Sequence, residues 1–153
     1  MPKRQVFYSF HFDNDVMRVQ QIRNIGSFEG NQPVSANTWE EIKKKGDAAV
    51  KKWIDDNMQS RSCVVVLIGQ DTWQRKFVKY EIEKAWNSGK GLLGIYIHNI
   101  NCPRTGKCAK GKNPFEQLAL SSKIKCYDPK GSDAYNDIAN NIAGWIETAI
   151  ASR

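Results

Sequence analysis

The group best placed for chemistry in this sequence is a single glutamate, Glu81. It lies in the stretch GQDTWQRKFVKYEIEKA (Gly69–Ala85), which includes the end of the most apolar run, CVVVLIG. A helix over this stretch has one buried stripe, made by Val78, Ile82 and Ala85. At about 100° per residue, Glu81 lies on the flank of that stripe. It is either a boundary residue paired with Lys79 or Arg75, or a carboxylate placed for catalysis, and the residues alone leave both interpretations open.

The first strand-like run, VFYSFHF (Val6–Phe12), carries two further reactive side chains. Ser9 and His11 alternate along it, so a strand would point both to the same face of the sheet. A serine nucleophile needs a base and a third group that orients the base, and no such carboxylate is identifiable. The motifs GxGxxG, GxxxxGK[ST], GxSxG and HExxH are absent as well. We therefore expect neither a serine hydrolase nor a dinucleotide cradle, a P-loop or a zinc protease.

The cysteines do not predict a metal site. Cys63 and Cys126 fall in strand-like runs, where a thiol acts as a small core residue. His98, Cys102 and Cys108 are close in sequence, but they have no fourth ligand and no CxxC pair. We therefore expect no metal and no disulfide framework.

Composition narrows the class of protein. A chain of 153 residues with 41% hydrophobic and 25% charged residues is typical of one globular domain, here residues 1–153. The start shows no signal peptide pattern and no apolar run is long enough to span a bilayer, so we expect a cytoplasmic protein without a membrane partner. The net charge of +7 comes from dispersed lysines. This pattern argues against direct nucleic-acid binding and favours a basic surface that attracts an anionic ligand.

The order of elements predicts the fold class. SCVVVLIG and GLLGIYIH are apolar without alternation, as strands covered on both sides are. A helix from Phe77 to Ser88 is expected after the first run, and a loop and the shorter strand KIKCYD after the second. One long helix is expected from Ile42 to Met58, and another begins at Ser132 or Asp133. The expected apolar face of that last helix comprises Tyr135, Ile138, Ala139, Ile142, Ile146, Ala149 and Ile150. We expect Asn24–Asn37 to be a loop with at most a short strand, and a helix to start near Val16, capped by Asp13 or Asp15.

Strands that alternate with helices predict an α/β fold, with a central parallel sheet and helices on both faces. Ligands bind such sheets beyond the carboxyl ends of the strands. Three loops should therefore frame the site: Phe10–Asp15, Gly69–Lys76 and His98–Lys112.

Several segments occur in the order of a known family. They are VFYSFHF, TWEEIKKKGDAAVKKWI, VVVLIGQDTWQRKFVKYEIEKA, GLLGIYIH and GKNPFEQL, and they run from Val6 to about Leu118. The chain resembles the TIR (Toll/interleukin-1 receptor) domain, most closely the TIR-like proteins of bacterial Thoeris anti-phage systems. The pattern from Phe77 to Glu81, aromatic-x-x-x-Glu, resembles the helix that carries the catalytic glutamate of TIR enzymes. The usual Arg-Asp-x-x-Pro-Gly loop is replaced by Asn24–Asn37, which leaves self-association open.

The resemblance implies a flavodoxin-like TIR fold and an enzyme that cleaves NAD between nicotinamide and ribose, with Glu81 as the catalytic residue. NAD is then the substrate and no cofactor is needed. A dry, aromatic pocket would favour a cyclic ADP-ribose-type product, which would activate a separate effector. Phe10, Trp39 and Tyr80 are expected wall residues, and Ser9 and His11 are expected to contact the ribose or phosphates. The alternatives are a non-catalytic scaffold, a nucleotide-binding module and a hydrolase toxin that depletes NAD.

Overall fold

The computed structural model describes residues 5–25, 29–30, 36–102, 106–129, 131 and 133–153. In these residues, the centre is a sheet of five parallel strands in the order β2-β1-β3-β4-β5. The strands are β1 (Gln5–Ser9), β2 (Glu29–Gly30), β3 (Cys63–Ile68), β4 (Gly91–Tyr96) and β5 (Cys126–Tyr127). The predicted parallel sheet is confirmed. Of the expected loop Asn24–Asn37, residues 29–30 form β2, and residues 26–28 and 31–35 lie outside the described residues.

Within the described residues, five α-helices cover the sheet in two layers. They are α1 (Phe12–Arg23), α2 (Ala36–Lys44), α3 (Asp47–Met58), α4 (Lys76–Asn87) and α5 (Ala134–Ala151). Helices α1 and α5 pack on one face of the sheet, and α2, α3 and α4 pack on the other. In the described residues no helix is long and apolar enough to cross a membrane. The α/β fold with helices on both faces is therefore as predicted.

The continuous apolar runs of β3 and β4 follow from this layering. All six residues of β3 are buried, because successive side chains enter the two cores in turn. Val65 joins the core under α1 and α5, whereas Val64 joins the core under α3 and α4. The two strands pair in parallel along their whole length, from Cys63 with Gly91 to Ile68 with Tyr96. The loops that follow β3 and β4 extend from this fully paired centre of the sheet.

The first strand is shorter than its aromatic pattern predicts. The strand was expected over Val6–Phe12, but its pairing with β3 ends at Ser9. Helix α1 begins at Phe12 rather than near Val16, and His11 is its N-cap residue in place of Asp13 or Asp15. The aromatic pattern continues past the strand because Phe10 still packs against the core under α1 and α5. The alternation that was expected to align Ser9 with His11 therefore stops at Ser9.

The single helix predicted from Ile42 to Met58 is two helices. Helix α2 ends at Lys44 and α3 begins at Asp47, with Gly46 between them at φ 99°. This left-handed conformation is readily available to glycine and interrupts a helix. The apolar spacing runs across the break, so periodicity alone does not reveal it. In α5, Tyr135 was expected on the apolar face but is exposed.

Candidate functional site

Glu81 is one of four buried residues on α4, together with Val78, Ile82 and Ala85. Only 7% of Glu81 is exposed, so it belongs to the buried stripe itself rather than to its flank. The Ser9 hydroxyl, at the carboxyl end of β1, donates a hydrogen bond of 2.8 Å to Glu81 Oε1. Ser9 is fully buried too. The last residue of β1 and the second turn of α4 therefore meet at the carboxyl edge of the sheet.

The environment of Glu81 favours its protonated form. Burial raises the pKa of Glu81 to about 8, and the hydrogen bond from Ser9 opposes this increase only in part. In the described part of the chain, neither Lys79 nor Arg75 forms an ion pair with it, and its hydrogen bond goes to Ser9. A buried carboxyl without a counter-ion interacts strongly with a cation brought next to it, because little water screens the pair.

Phe10 and His11 follow Ser9 at the carboxyl end of β1. Phe10 is half-buried and packs on the face of the sheet that α1 and α5 cover, opposite to the face where Ser9 meets Glu81. His11 is half-buried and accepts, through its carbonyl, the first hydrogen bond of α1 from the Asp15 amide at 2.9 Å. Both residues directly follow Ser9 in the chain. The structure adds that Phe10 lies on the other face of the sheet.

Tyr80 points from α4 to α3. Its hydroxyl donates a hydrogen bond of 2.7 Å to Asp55 Oδ1, and Lys51 Nζ lies 5.3 Å from the centre of its ring. The hydrogen bond to Asp55, with burial, raises the pKa of the Tyr80 phenol to about 12. The ring thus fills the space between two helices beside Glu81. Trp39 belongs to α2, but its side chain lies outside the described part of the structure.

A second buried polar pair, which the sequence analysis missed, lies in α1. Arg18 donates to Asp15 Oδ1 at 2.8 Å, and both side chains are almost fully buried. The same guanidinium donates to two carbonyls of the loop after β4, Ile100 at 2.9 Å and Gly106 at 2.7 Å. The sequence does carry a sign of this pair, because the apolar face of α1 is weak. Asp15 and Arg18 occupy buried positions that aliphatic residues would otherwise fill.

The three expected loops do meet at the carboxyl edge. A Cβ atom at Gly69, just after β3, would collide with the Asp15 carboxylate, and one at Gly111 would collide with the Gly69 carbonyl. Burial raises the pKa of Asp15 to about 6, although the adjacent Arg18 lowers it. Helix α1 and the loops after β3 and β4 therefore form one packed layer beside Ser9 and Glu81.

The histidine and cysteine side chains near this edge do not gather around a common point. In the described residues, no group of three His, Cys, Asp or Glu side chains is arranged to hold a metal ion. Cys102 forms an isolated bridge with Gly106, and the Cys108 amide donates to the His98 carbonyl at 3.0 Å. Cys63 is buried as expected, whereas Cys126 is half-buried. The four cysteines, all of which lie in the described part of the chain, form no disulfide bond.

Comparison with known proteins gives two consistent matches. Residues 7–101 match the family model described as "Thoeris protein ThsB, TIR-like domain". A protein of Bacillus cereus (strain MSX-D12), named "Putative cyclic ADP-D-ribose synthase ThsB1", is 32% identical over 148 residues. That alignment covers 89% of this chain and 77% of the relative. The segment matched by the family model includes both Ser9 and Glu81.

Proposed function

The chain belongs to the family of ThsB TIR-like domains, and we propose that it cleaves NAD between nicotinamide and ribose and releases a cyclic ADP-ribose-type nucleotide. The name of the Bacillus cereus relative supports the substrate and the product class. The observation that carries the proposal is the buried carboxyl of Glu81, hydrogen-bonded to Ser9 and lying where β1 and α4 meet. We assign Glu81 as the catalytic residue.

This carboxyl suits the reaction because the bond that breaks needs no acid. Nicotinamide is attached to the ribose as a cationic ring and leaves as a neutral molecule. The electron pair of the C–N bond goes to the ring, and the ribose becomes an oxocarbenium-like cation. A carboxylate fixed next to that carbon stabilises the developing positive charge and orients the ribose through its hydroxyls.

The protonation state of Glu81 is coupled to substrate binding. The free protein holds a proton on Glu81 near neutral pH, since burial raises its pKa to about 8. The positive nicotinamide ring favours the carboxylate, so binding of NAD lowers this pKa and expels the proton. Ser9 then stays as the donor that holds Oε1 in place.

The product depends on which nucleophile reaches the ribosyl cation first. Water gives ADP-ribose, whereas an internal nitrogen of the same molecule gives a cyclic nucleotide and needs water to be excluded. We assign Trp39 and Tyr80 to the pocket wall, and Ser9 and His11 to contacts with the ribose or phosphates. Phe10 was also expected in this wall, but it packs on the opposite face of the sheet. In a Thoeris-type system, the released nucleotide would diffuse through the cytoplasm to a separate effector.

The experiment compares Glu81→Gln with Glu83→Gln, two positions along the same helix and exposed. Purified protein and lysates of phage-infected cells are given NAD, and the products are identified by mass spectrometry. We expect Glu81→Gln to lower the rate at which the cyclic nucleotide forms about 10²–10³-fold, because the substitution removes the negative charge of the side chain but keeps its shape. Glu83→Gln should match the wild type.

Each alternative has its own signature in this experiment. ADP-ribose without a cyclic product identifies a hydrolase that depletes NAD. No loss of NAD with the wild type, even in infected cells, identifies a scaffold or a binding module. Formation of the cyclic nucleotide by Glu81→Gln at the wild-type rate would show that Glu81 is not the catalytic residue.

A further inference from the structure

A basic segment, Gly106–Lys112, crosses the carboxyl edge of the sheet beside the proposed active site; we call it the basic strap. The Cys108 amide holds it to the end of β4 through the His98 carbonyl. At Gly111 it presses so closely on the carbonyls of Gly69 and Gln70 that a Cβ atom would not fit. The strap is therefore fixed against the loops after β3 and β4.

The three lysines of the strap differ in their partners. Lys107 Nζ donates to the Gly131 carbonyl at 2.7 Å, and Lys110 Nζ pairs with Asp128 Oδ2 at 2.7 Å. Lys112 is exposed, and its Nζ lies 4.5 Å from the centre of the Trp73 ring. In the described residues no carboxylate pairs with Lys112. Lys107, whose described partner is a neutral carbonyl, also keeps its charge available to an anion, but Lys112 combines such a charge with the Trp73 ring beside it.

Trp73 is held in place at the entrance to the Glu81 helix. It lies in the turn between β3 and α4, where its carbonyl accepts a hydrogen bond of 3.1 Å from Gln117 Nε2. The preceding residue, Thr72, accepts the Gly69 amide at 2.8 Å. Trp73 and Glu81 are eight positions apart in the chain, and Arg75 is extended between the turn that holds Trp73 and the start of α4.

The sequence of the strap alone does not decide its role. Its spacing, GxxxxGK, is that of a phosphate-binding loop, but Asn113 follows where that motif needs Ser or Thr, and no helix begins there. Lys112 and Trp73 are therefore distinguished by their position and by the charge of Lys112, and not by a motif.

We propose that Lys112 and Trp73 bind the ADP portion of the dinucleotide, an inference that rests on the proposed function. Lys112 leaves the Trp73 ring and contacts the pyrophosphate, because a cation–π contact at an exposed site is weaker than a charge-assisted hydrogen bond to a phosphate. The indole face that it uncovers then stacks on the adenine. Lys112 and Trp73 thus determine affinity for the dinucleotide, while Glu81 acts on the distant ribose.

The chain supplies a matched control at the other end of α4. Lys123 Nζ lies 5.8 Å from the centre of the Trp86 ring, near the start of β4. This second lysine–tryptophan pair is far from the carboxyl edge, so Lys123→Gln removes the same type of contact without touching the proposed site.

The test measures kcat and KM for NAD with Lys112→Gln, Trp73→Leu and Lys123→Gln. We expect Lys112→Gln to raise KM roughly tenfold, as loss of one hydrogen bond to a charged group does, with kcat within about twofold of the wild type. Trp73→Leu should raise KM for NAD but not for nicotinamide mononucleotide, which keeps the scissile bond and lacks adenosine. Lys123→Gln should behave as the wild type.

A binding measurement separates this inference from the proposed catalytic activity. ADP is titrated by calorimetry into Glu81→Gln and into the double variant Glu81→Gln/Lys112→Gln. Weaker binding of ADP by the double variant supports the inference even if no turnover of NAD is found. Equal binding by the two proteins, or an unchanged KM in Lys112→Gln, would overturn it and leave the assignment of Glu81 standing.

Discussion

At the scale of single residues, the hydroxyl of Ser9 and the carboxyl of Glu81 act as one unit. The fold removes the carboxyl from water, which favours its proton, and supplies one donor, which favours its charge. The balance leaves the pKa of Glu81 at about 8. The reactive form in the proposed mechanism is the carboxylate, so activity should follow this equilibrium.

We therefore predict that kcat/KM for NAD rises about tenfold per pH unit and levels off near pH 8, because this parameter reports the pKa of the free enzyme. Ser9→Ala removes the donor that lowers the pKa of Glu81, so its rising limb should move to higher pH. Ser62→Ala, at an exposed serine before β3, is the control and should keep the wild-type limb. The measurement is a pH profile of initial rates. A profile that is flat from pH 6 to 9 would contradict this role of Glu81.

The position of Glu81 could be predicted from the sequence, but its contact could not. Helical periodicity places Glu81 beside Val78 and Ile82, and the structure moves it only from the flank into the buried stripe. The hydrogen bond with Ser9 joins residues 72 positions apart. It depends on how β1 and α4 are placed across the sheet, and no local pattern contains that information.

At the scale of elements, Arg18 ties α1 to the loop after β4. Its guanidinium neutralises Asp15 and satisfies two loop carbonyls, all out of water. Removal of one partner from such a buried pair leaves a charge without compensation, which is far more costly than loss of a pair on the surface.

We predict that Arg18→Met lowers the free energy of unfolding by about 3–5 kcal/mol, measured by urea denaturation. Lys52→Met is the control, because Lys52 forms an ion pair with Asp56 at the same 2.8 Å on the exposed side of α3. That variant should unfold like the wild type. If Arg18→Met and Lys52→Met had equal free energies of unfolding, the contacts of Arg18 would contribute no measurable stability.

Elements with a continuous pattern could be predicted, and those defined by one backbone angle could not. The runs of β3 and β4 are apolar throughout because both faces are covered, and this identifies them directly. The break between α2 and α3 depends on the left-handed conformation of Gly46. The end of β1 depends on where its pairing with β3 stops, although the aromatic residues continue beyond it.

At the scale of the whole molecule, the proposed catalytic group reduces stability. The pKa of Glu81 is raised from 4.5 to about 8 on folding, so the folded chain binds this proton more tightly than the unfolded chain does. The resulting cost is absent below the unfolded pKa, grows as the pH rises through this interval, and is complete above about pH 8.

We predict that Glu81→Gln is more stable than the wild type at pH 8, by roughly 3–5 kcal/mol, because the amide does not ionise. The advantage should shrink as the pH falls and should vanish near pH 4.5. Thermal and urea unfolding across this range will check it, with Glu83→Gln as the control at an exposed position. Equal stability of Glu81→Gln and the wild type at pH 8 would mean that Glu81 is well solvated.

The two outer strands of the sheet have a consequence for association. In the described part of the chain, β2 and β5 are two residues long each, whereas the central β3 and β4 have six. A strand of two residues offers few unpaired amides and carbonyls as a template for a neighbouring chain. The β5 edge, whose adjoining residues the structure describes, is thus poorly suited to strand addition from one molecule to the next. At that edge, two copies would associate through helices and loops, and such contacts can form and separate without any change in the sheet.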